Sequence, residues 1–250
     1  MIGKSTIKKV MCYNKAQHAS LKDLKEYYSV KHSEAVKNEY EIRYFESGFK
    51  FQQSAIITAL DPTELTLSRW GLIPWWTKTL EQAKELRSRT LNCISEEMES
   101  KPSYRDAVKQ GQRCLIPCTG FFEWQWREGG KQKIPHFIRL KDSELFSLGG
   151  LYSTWNEKTS NEDYHSYTVL TTKANPLMET IHNSKKRMPV IIPREYEQDW
   201  LKASLTVEDV KALCAPVQDA KMEAWPISKM ITDRGVKNKN IPEIQKEFEH

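Results

Sequence analysis

Between residues 112 and 172 the chain breaks into five short apolar runs: QRCLIPC, TGFFEWQW, IPHFIRL, ELFSLGGLYSTW and YHSYTVLTT. Most are rich in β-branched and aromatic residues, and turn signals such as REGGK (127–131) and NEKTSNED (156–163) separate them. Runs of this length and spacing read as strands joined by tight turns, and this constrains the fold more than any other feature. The flanks have a different period. SLKDLKEYYSV places Leu21, Leu24, Tyr27 and Tyr28 on one helical face. TLEQAKELRSRT (79–90) and PSYRDAVKQG (102–111) also read as helices, the latter ending at a glycine. Further helical pieces are expected near 176–181, 195–201 and 207–213, while AIITAL (55–60) and LTLSRWGLI (65–73) read as strands. The pattern is α+β, with a mostly antiparallel barrel-like or sandwich core flanked by helices.

The chain has 250 residues, of which 39% are hydrophobic, so it can bury a real core and disorder is excluded for its bulk. No linker divides it. Residues 1–11 read as an N-terminal extension or propeptide, 12–235 as a single domain and 236–250 as a C-terminal tail. No apolar run reaches the roughly 18 residues of a membrane helix, and MIGKSTIKKV is too polar for a signal peptide. The expectation is a cytoplasmic monomer with no membrane partner. The five cysteines are Cys12, Cys93, Cys114, Cys118 and Cys214, an odd number that argues against a secreted disulfide framework. Cys114 and Cys118 lack further ligands nearby, so neither metal nor cofactor is expected. The net charge of +5 permits an anionic partner without requiring one.

Four stretches carry candidate chemistry. In MCYN, Cys12 follows a methionine ten residues inside the chain. Were it N-terminal, its amine, with a pKa of about 7.7–8.0, and its thiol, near 8.5, would sit on adjacent carbons and could close an aldehyde into a thiazolidine. The alternative is a small core thiol. In TLNCISEE, Asn92 can orient a bound group or merely cap a helix. In PCTGFFEWQW, Glu123 stands among aromatics, where a raised pKa suits acid–base work, although strand alternation could instead turn it to water. In ETIHNSKKRMPVIIP, His182 can move protons or cap a helix, and Lys185, Lys186 and Arg187 can bind phosphate. In a fifth run, RWGLIPWW, Trp70 is expected in the core, and Trp76 is undecided between the core and an exposed stacking face.

These runs together resemble the SOS-response-associated peptidase (SRAP) family. The resemblance covers Met11 to about Pro193 in one order: MC, WGLIPWW, LNCISEE, GFFEW and HNSKKRMPVI. It implies a mixed α+β fold with a barrel-like sheet and removal of what precedes the cysteine. It also implies covalent capture of abasic sites in single-stranded DNA as a thiazolidine, with weak strand-cleaving lyase activity as a side reaction. By position, Cys12 would be the nucleophile and Asn92 would orient the opened sugar or the amine. Glu123 would be the acid–base, and His182 would assist the imine step. The sequence departs from the common pattern at Asn14 and Ile94, where many members carry arginine. DNA binding is therefore expected to lean on Arg187, Arg89 and Lys186, with Trp76 and Trp124 stacking beside the lesion. Two other readings stay open: a cysteine peptidase acting on proteins through Cys12 and His182, and a non-catalytic nucleic-acid-binding module. A start codon at Met11 accounts for the Met-Cys pair as economically as a propeptide does.

Overall fold

The computed structural model of this chain describes residues 12–250, so the expected extension over 1–11 lies outside the described residues. In chain order the strands are β1 (Asn14–Gln17), β2 (Lys31–His32), β3 (Arg43–Ser47), β4 (Gln53–Thr58), β5 (Glu64–Trp70), β6 (Asn92–Ile94) and β7 (Arg113–Cys118). They continue with β8 (Gly120–Arg127), β9 (Gln132–Leu140), β10 (Phe146–Glu157), β11 (Glu162–Lys173), β12 (Arg187–Pro189), β13 (Ile191–Ile192) and β14 (Met222–Pro226). The helices are α1 (Leu21–Tyr28), α2 (Glu34–Glu39), α3 (Leu80–Arg87), α4 (Arg105–Lys109), α5 (Pro176–Ile181), α6 (Glu197–Trp200) and α7 (Val207–Leu213). Their ends follow local chemistry. Ser20 and Asp23 form a capping box on α1, and Asn175 caps α5 by accepting from the Met178 amide, with Pro176 at the first position.

The mixed α and β content matches the expectation, and the barrel is explicit. β11, β10, β7, β4 and β5 pair in that order through antiparallel ladders, and β5 returns to β11 through Arg69↔Ser166 and Trp70↔Tyr167. That last pairing is parallel. An odd ring of strands requires this: five alternating directions cannot close without one like-directed pair. Side chains alternate across the barrel wall. Ile56, Cys114, Ile116, Tyr167 and Val169 fill the interior, whereas Ala55, Ile57, Leu115 and Leu170 face outward under the helices.

At Thr119 the chain leaves the barrel and enters a second sheet, ordered β14-β9-β8-β1-β3. A third apolar cluster, with Phe122, Phe137 and Ile231, lies against this sheet. The C-terminal residues pack there too: Ile244 is buried, the Trp225 indole donates to the Gln245 carbonyl at 2.7 Å, and Ile227 bridges Glu247. The short strand β1 lies between β3 and β8. Its Lys15 is buried and paired with Glu46 at 2.7 Å, and Ser54 donates to the same carboxylate. A buried ion pair is stable only when it is this well satisfied.

Candidate active site

Glu123 lies on β8, and alternation along that strand decides its surroundings. Phe121 joins the barrel-side cluster, while Phe122 and Trp124 join the third cluster on the opposite face. Glu123 shares the Phe121 face. Both faces of the sheet are covered, so the face that could have met water meets protein, and Glu123 is 1% exposed.

Cys12 arrives from β1. Lys15 pairs with Phe121 and Ala16 with Gly120. Carried back, that antiparallel register sets Tyr13 opposite Glu123 and Cys12 one step beyond. The thiol is buried, and burial pushes its pKa well up. The negative charge of Glu123 adds to that rise and Arg187 opposes it. Burial also raises the Glu123 carboxyl, with His182 working against the rise.

His182 closes α5, its amide donating to Met178 at 2.7 Å. The NSKK segment then folds back. The Lys186 amide donates to the His182 carbonyl at 2.8 Å, with Lys186 in the left-handed region at φ 51°. This turn brings the Arg187 carbonyl to 2.8 Å from His182 Nδ1. A carbonyl only accepts, so Nδ1 carries a proton, and Nε2 is the ring nitrogen left to the cluster, with a lone pair to offer whenever the ring is neutral. That nitrogen lies 3.8 Å from Glu123 Oε2. Asn183 ties the turn to β8: its side chain accepts from the Trp126 amide at 3.1 Å and donates to the Trp126 carbonyl at 2.7 Å.

The Cys12 Sγ, a Glu123 oxygen and a His182 nitrogen thus all lie within 4.8 Å of one another. Glu123 Oε1, His182 Nε2 and both ends of the Asn92 amide are buried without a hydrogen-bond partner. Buried polar atoms are nearly always paired, so the partnerless Glu123 and His182 atoms, orphaned among the described residues, mark a place where another group can bind. Asn92 stands on β6, with its carbonyl held by the Tyr104 hydroxyl at 3.0 Å. It lines a groove of about 380 Å³ together with Arg89, Ile94, Pro102 and Tyr104.

The residues expected to bind DNA are less uniform. Arg187 is engaged by Glu96 through both guanidinium nitrogens, at 2.7 and 2.8 Å, and this pairing holds the Glu96 carboxyl below its usual range. Arg89, on the groove wall, is exposed and pairs with Glu85; Lys186 is exposed and pairs with Glu179. The half-buried Trp76 donates to the Pro102 carbonyl at 3.2 Å. Trp124 is half-buried, and its ring carries the Lys133 ammonium at 4.9 Å. Trp70 is in the core. Sequence reasoning missed several neighbours. Trp75, not Trp76, is the open indole at 62% exposure. Lys133 also covers Trp126, which register places directly across from it. The Asn183 tether had no sequence signal apart from its place beside His182.

A family model described as SOS response associated peptidase (SRAP) matches residues 11–234. The abasic site processing protein YoqW of Bacillus subtilis (strain 168) is 40% identical over 177 residues, which span 70% of this chain and 73% of that protein. The abasic site processing protein HMCES of Gallus gallus is 32% identical over 171 residues, 60% of this chain and 49% of that one. The X-ray crystal structure of a protein from Bacteroides thetaiotaomicron superposes with a TM-score of 0.87 at 32% identity, covering 95% of this chain and all 100% of that one. A Bordetella bronchiseptica crystal structure gives 0.74 at 25% identity, over 87% of this chain.

Proposed function

The chain belongs to the SRAP family, and from that premise we propose that it processes abasic sites in DNA by covalent capture at Cys12. The convergence of Cys12, Glu123 and His182 on one buried point, with Glu123 Oε1 and His182 Nε2 lacking a hydrogen-bond partner among the described residues, is the observation that supports this reading.

Capture requires a free α-amine, so the Met11–Cys12 bond is first hydrolysed and residues 1–11 depart, leaving a chain that begins at Cys12. The abasic sugar opens to its aldehyde, with Glu123 moving the proton between ring oxygen and hydroxyl. A carboxyl raised by burial is suited to both halves of that transfer near neutral pH. The Cys12 amine adds to the aldehyde carbon, and loss of water gives an imine. The thiol then adds across the C=N bond, sulfur to carbon and proton to nitrogen, closing a thiazolidine. Amine, thiol and aldehyde have become the ring and one water. His182 Nε2, with a lone pair toward the cluster, takes and returns protons in the imine step and its reversal. Asn92 orients the opened sugar through its amide. An imine left open permits β-elimination, which gives a weak lyase activity. The substrate is single-stranded DNA, gripped by Arg187, Arg89 and Lys186 with Trp76 and Trp124 as stacking faces. The protein works as a cytoplasmic monomer.

The test uses protein beginning at Cys12 and an oligonucleotide with one abasic site. A heat-stable adduct is expected on a denaturing gel. Cys12→Ser and N-acetylated protein should give none. An adduct that survives Cys12→Ser overturns the reading. Acetylated protein that still cleaves peptides would instead be a thiol peptidase. Binding that ignores Cys12 altogether would leave a non-catalytic module.

A further inference from the structure

The capture cluster is also a set of metal ligands. Cys12 Sγ, a Glu123 carboxylate oxygen and a His182 nitrogen lie within 4.8 Å of one another, and all three residues are buried. We propose that these three side chains form a zinc site, and that the ion, when bound, silences the protein.

Three features of the geometry favour a metal over a mere cluster. The imidazole is already set as a ligand: Nδ1 donates to the Arg187 carbonyl at 2.8 Å, which fixes the tautomer and turns Nε2 inward. Histidines that bind metals are held by such an outer hydrogen bond. Among the described residues, Nε2 and Glu123 Oε1 are both buried without a hydrogen-bond partner, so the imidazole and the carboxylate each keep a donor atom for an electrophile. Charge also closes. Zinc with one thiolate, one carboxylate and one neutral imidazole is a net-neutral unit, the form that a site among core side chains can hold without a desolvated excess charge.

The ligand atoms must draw together slightly to take the ion. With zinc bonds of about 2.0–2.3 Å, tetrahedral ligand atoms stand roughly 3.3–3.8 Å apart. His182 Nε2 and Glu123 Oε2 are 3.8 Å apart, and all three ligand atoms lie within 4.8 Å of one another. Binding exchanges the thiol proton for the metal: Cys–SH and Zn²⁺ become Cys–S–Zn⁺, and the proton goes to solvent. Three protein ligands leave a fourth position open. In the chain beginning at Cys12 the α-amine can occupy it, closing a five-membered chelate of zinc, sulfur, two carbons and nitrogen. In the full-length chain that nitrogen is an amide and cannot. The silencing follows from the capture chemistry proposed above and rests on it: the amine and thiol that would trap an aldehyde are the atoms the ion holds. The binding itself does not rest on it.

The test measures metal without DNA. Protein beginning at Cys12 is equilibrated with Zn²⁺ against a chromogenic chelator, and Co²⁺ is used separately to read thiolate ligation by its charge-transfer absorption. One ion per chain is expected, with cobalt–thiolate absorption, and weaker binding by the full-length chain. Cys12→Ser and the near-isosteric Glu123→Gln should each weaken binding by about tenfold or more, and Cys214→Ser should leave it unchanged. Near-ultraviolet circular dichroism confirms that each variant is folded. Absence of binding with zinc in excess, or stoichiometric binding that survives both Cys12→Ser and Glu123→Gln, overturns the proposal. With abasic DNA added, zinc should abolish adduct formation and a chelator should restore it; full adduct yield on zinc-loaded protein overturns the silencing. A protein that binds zinc but never forms adducts refutes only the capture reading.

Discussion

Gly120→Ala perturbs the strand that carries the acid without touching the acid. A β-carbon at position 120 would lie 2.2 Å from Phe137 Cζ, 2.5 Å from its Cε2 and 3.0 Å from the Ile138 carbonyl oxygen. Carbon atoms rest about 3.5–4.0 Å apart, so something must yield by more than an ångström. The ring is poorly placed to do so. Phe137 is buried, with its centroid 5.0 Å from Phe122 and 5.4 Å from Trp225. The strand cannot withdraw either, because β8 is laddered to β1 on one side and β9 on the other. Overpacking of this kind costs about 1–3 kcal/mol. For a chain of this length that corresponds to a fall in Tm of about 2–4 °C per kcal/mol. In urea the midpoint should drop with the slope unchanged, since the loss is in the native state. Phe137→Leu removes the colliding ring edge, so the double variant should be less destabilised than the two single changes summed, by about 1 kcal/mol. Gly120→Ala within about 0.5 kcal/mol of the parent, or strict additivity with Phe137→Leu, would refute the steric account.

Asn183→Ala removes both hydrogen bonds to Trp126. Stability should fall by only about 1 kcal/mol, whereas the adduct-forming rate should fall about tenfold as His182 loses its anchor; an unchanged rate refutes the tether. Glu96→Gln removes the charge that occupies Arg187, and single-stranded DNA affinity measured across a salt series should show a slope steeper by about 0.7. Acid below the ordinary carboxylate range should do likewise, and mild acid should not. The folded Glu96 pKa is depressed, so the bridge is complete above the unfolded value and is lost as pH falls through the lower folded one. A slope indifferent to both changes would show that Arg187 does not face DNA. Trp75→Ala should weaken single-stranded DNA binding by about 1–3 kcal/mol in an anisotropy titration with stability nearly unchanged, and equal binding would rule out the indole as a stacking face.

Much of this was legible in the sequence because it depends on local period and punctuation. The expected helix over 176–181 is α5, and that over 207–213 is α7. AIITAL lies largely within β4. The GFFEW run predicted a strand, and its glycine now has a reason: the Phe137 ring fills the space a side chain would need. The family resemblance named Cys12, Glu123 and His182 from stretches far apart in the chain, and the fold brings those three together. What remained illegible depends on tertiary partners. Alternation could say that Glu123 and Phe122 face opposite ways, but not that a separate apolar cluster covers each side. The basic run KKR could suggest phosphate binding, but not that Glu96, far back in the chain, already holds Arg187. The parallel closure of β5 on β11 follows from counting strands in the ring, which requires knowing that the ring is closed.

The position of β1 has a mechanical consequence. A protein joined to DNA through Cys12 would be hauled by whatever moves along that DNA, and the load would enter the fold two residues before β1. The strand is hydrogen-bonded to β3 on one side and β8 on the other, and Lys15 is clamped to Glu46 in the interior. Tension drawn along such a strand is carried in shear: the rungs on both flanks resist together, where a strand at a sheet edge would peel one rung at a time. The chain's point of attachment leads straight into a strand braced on both flanks.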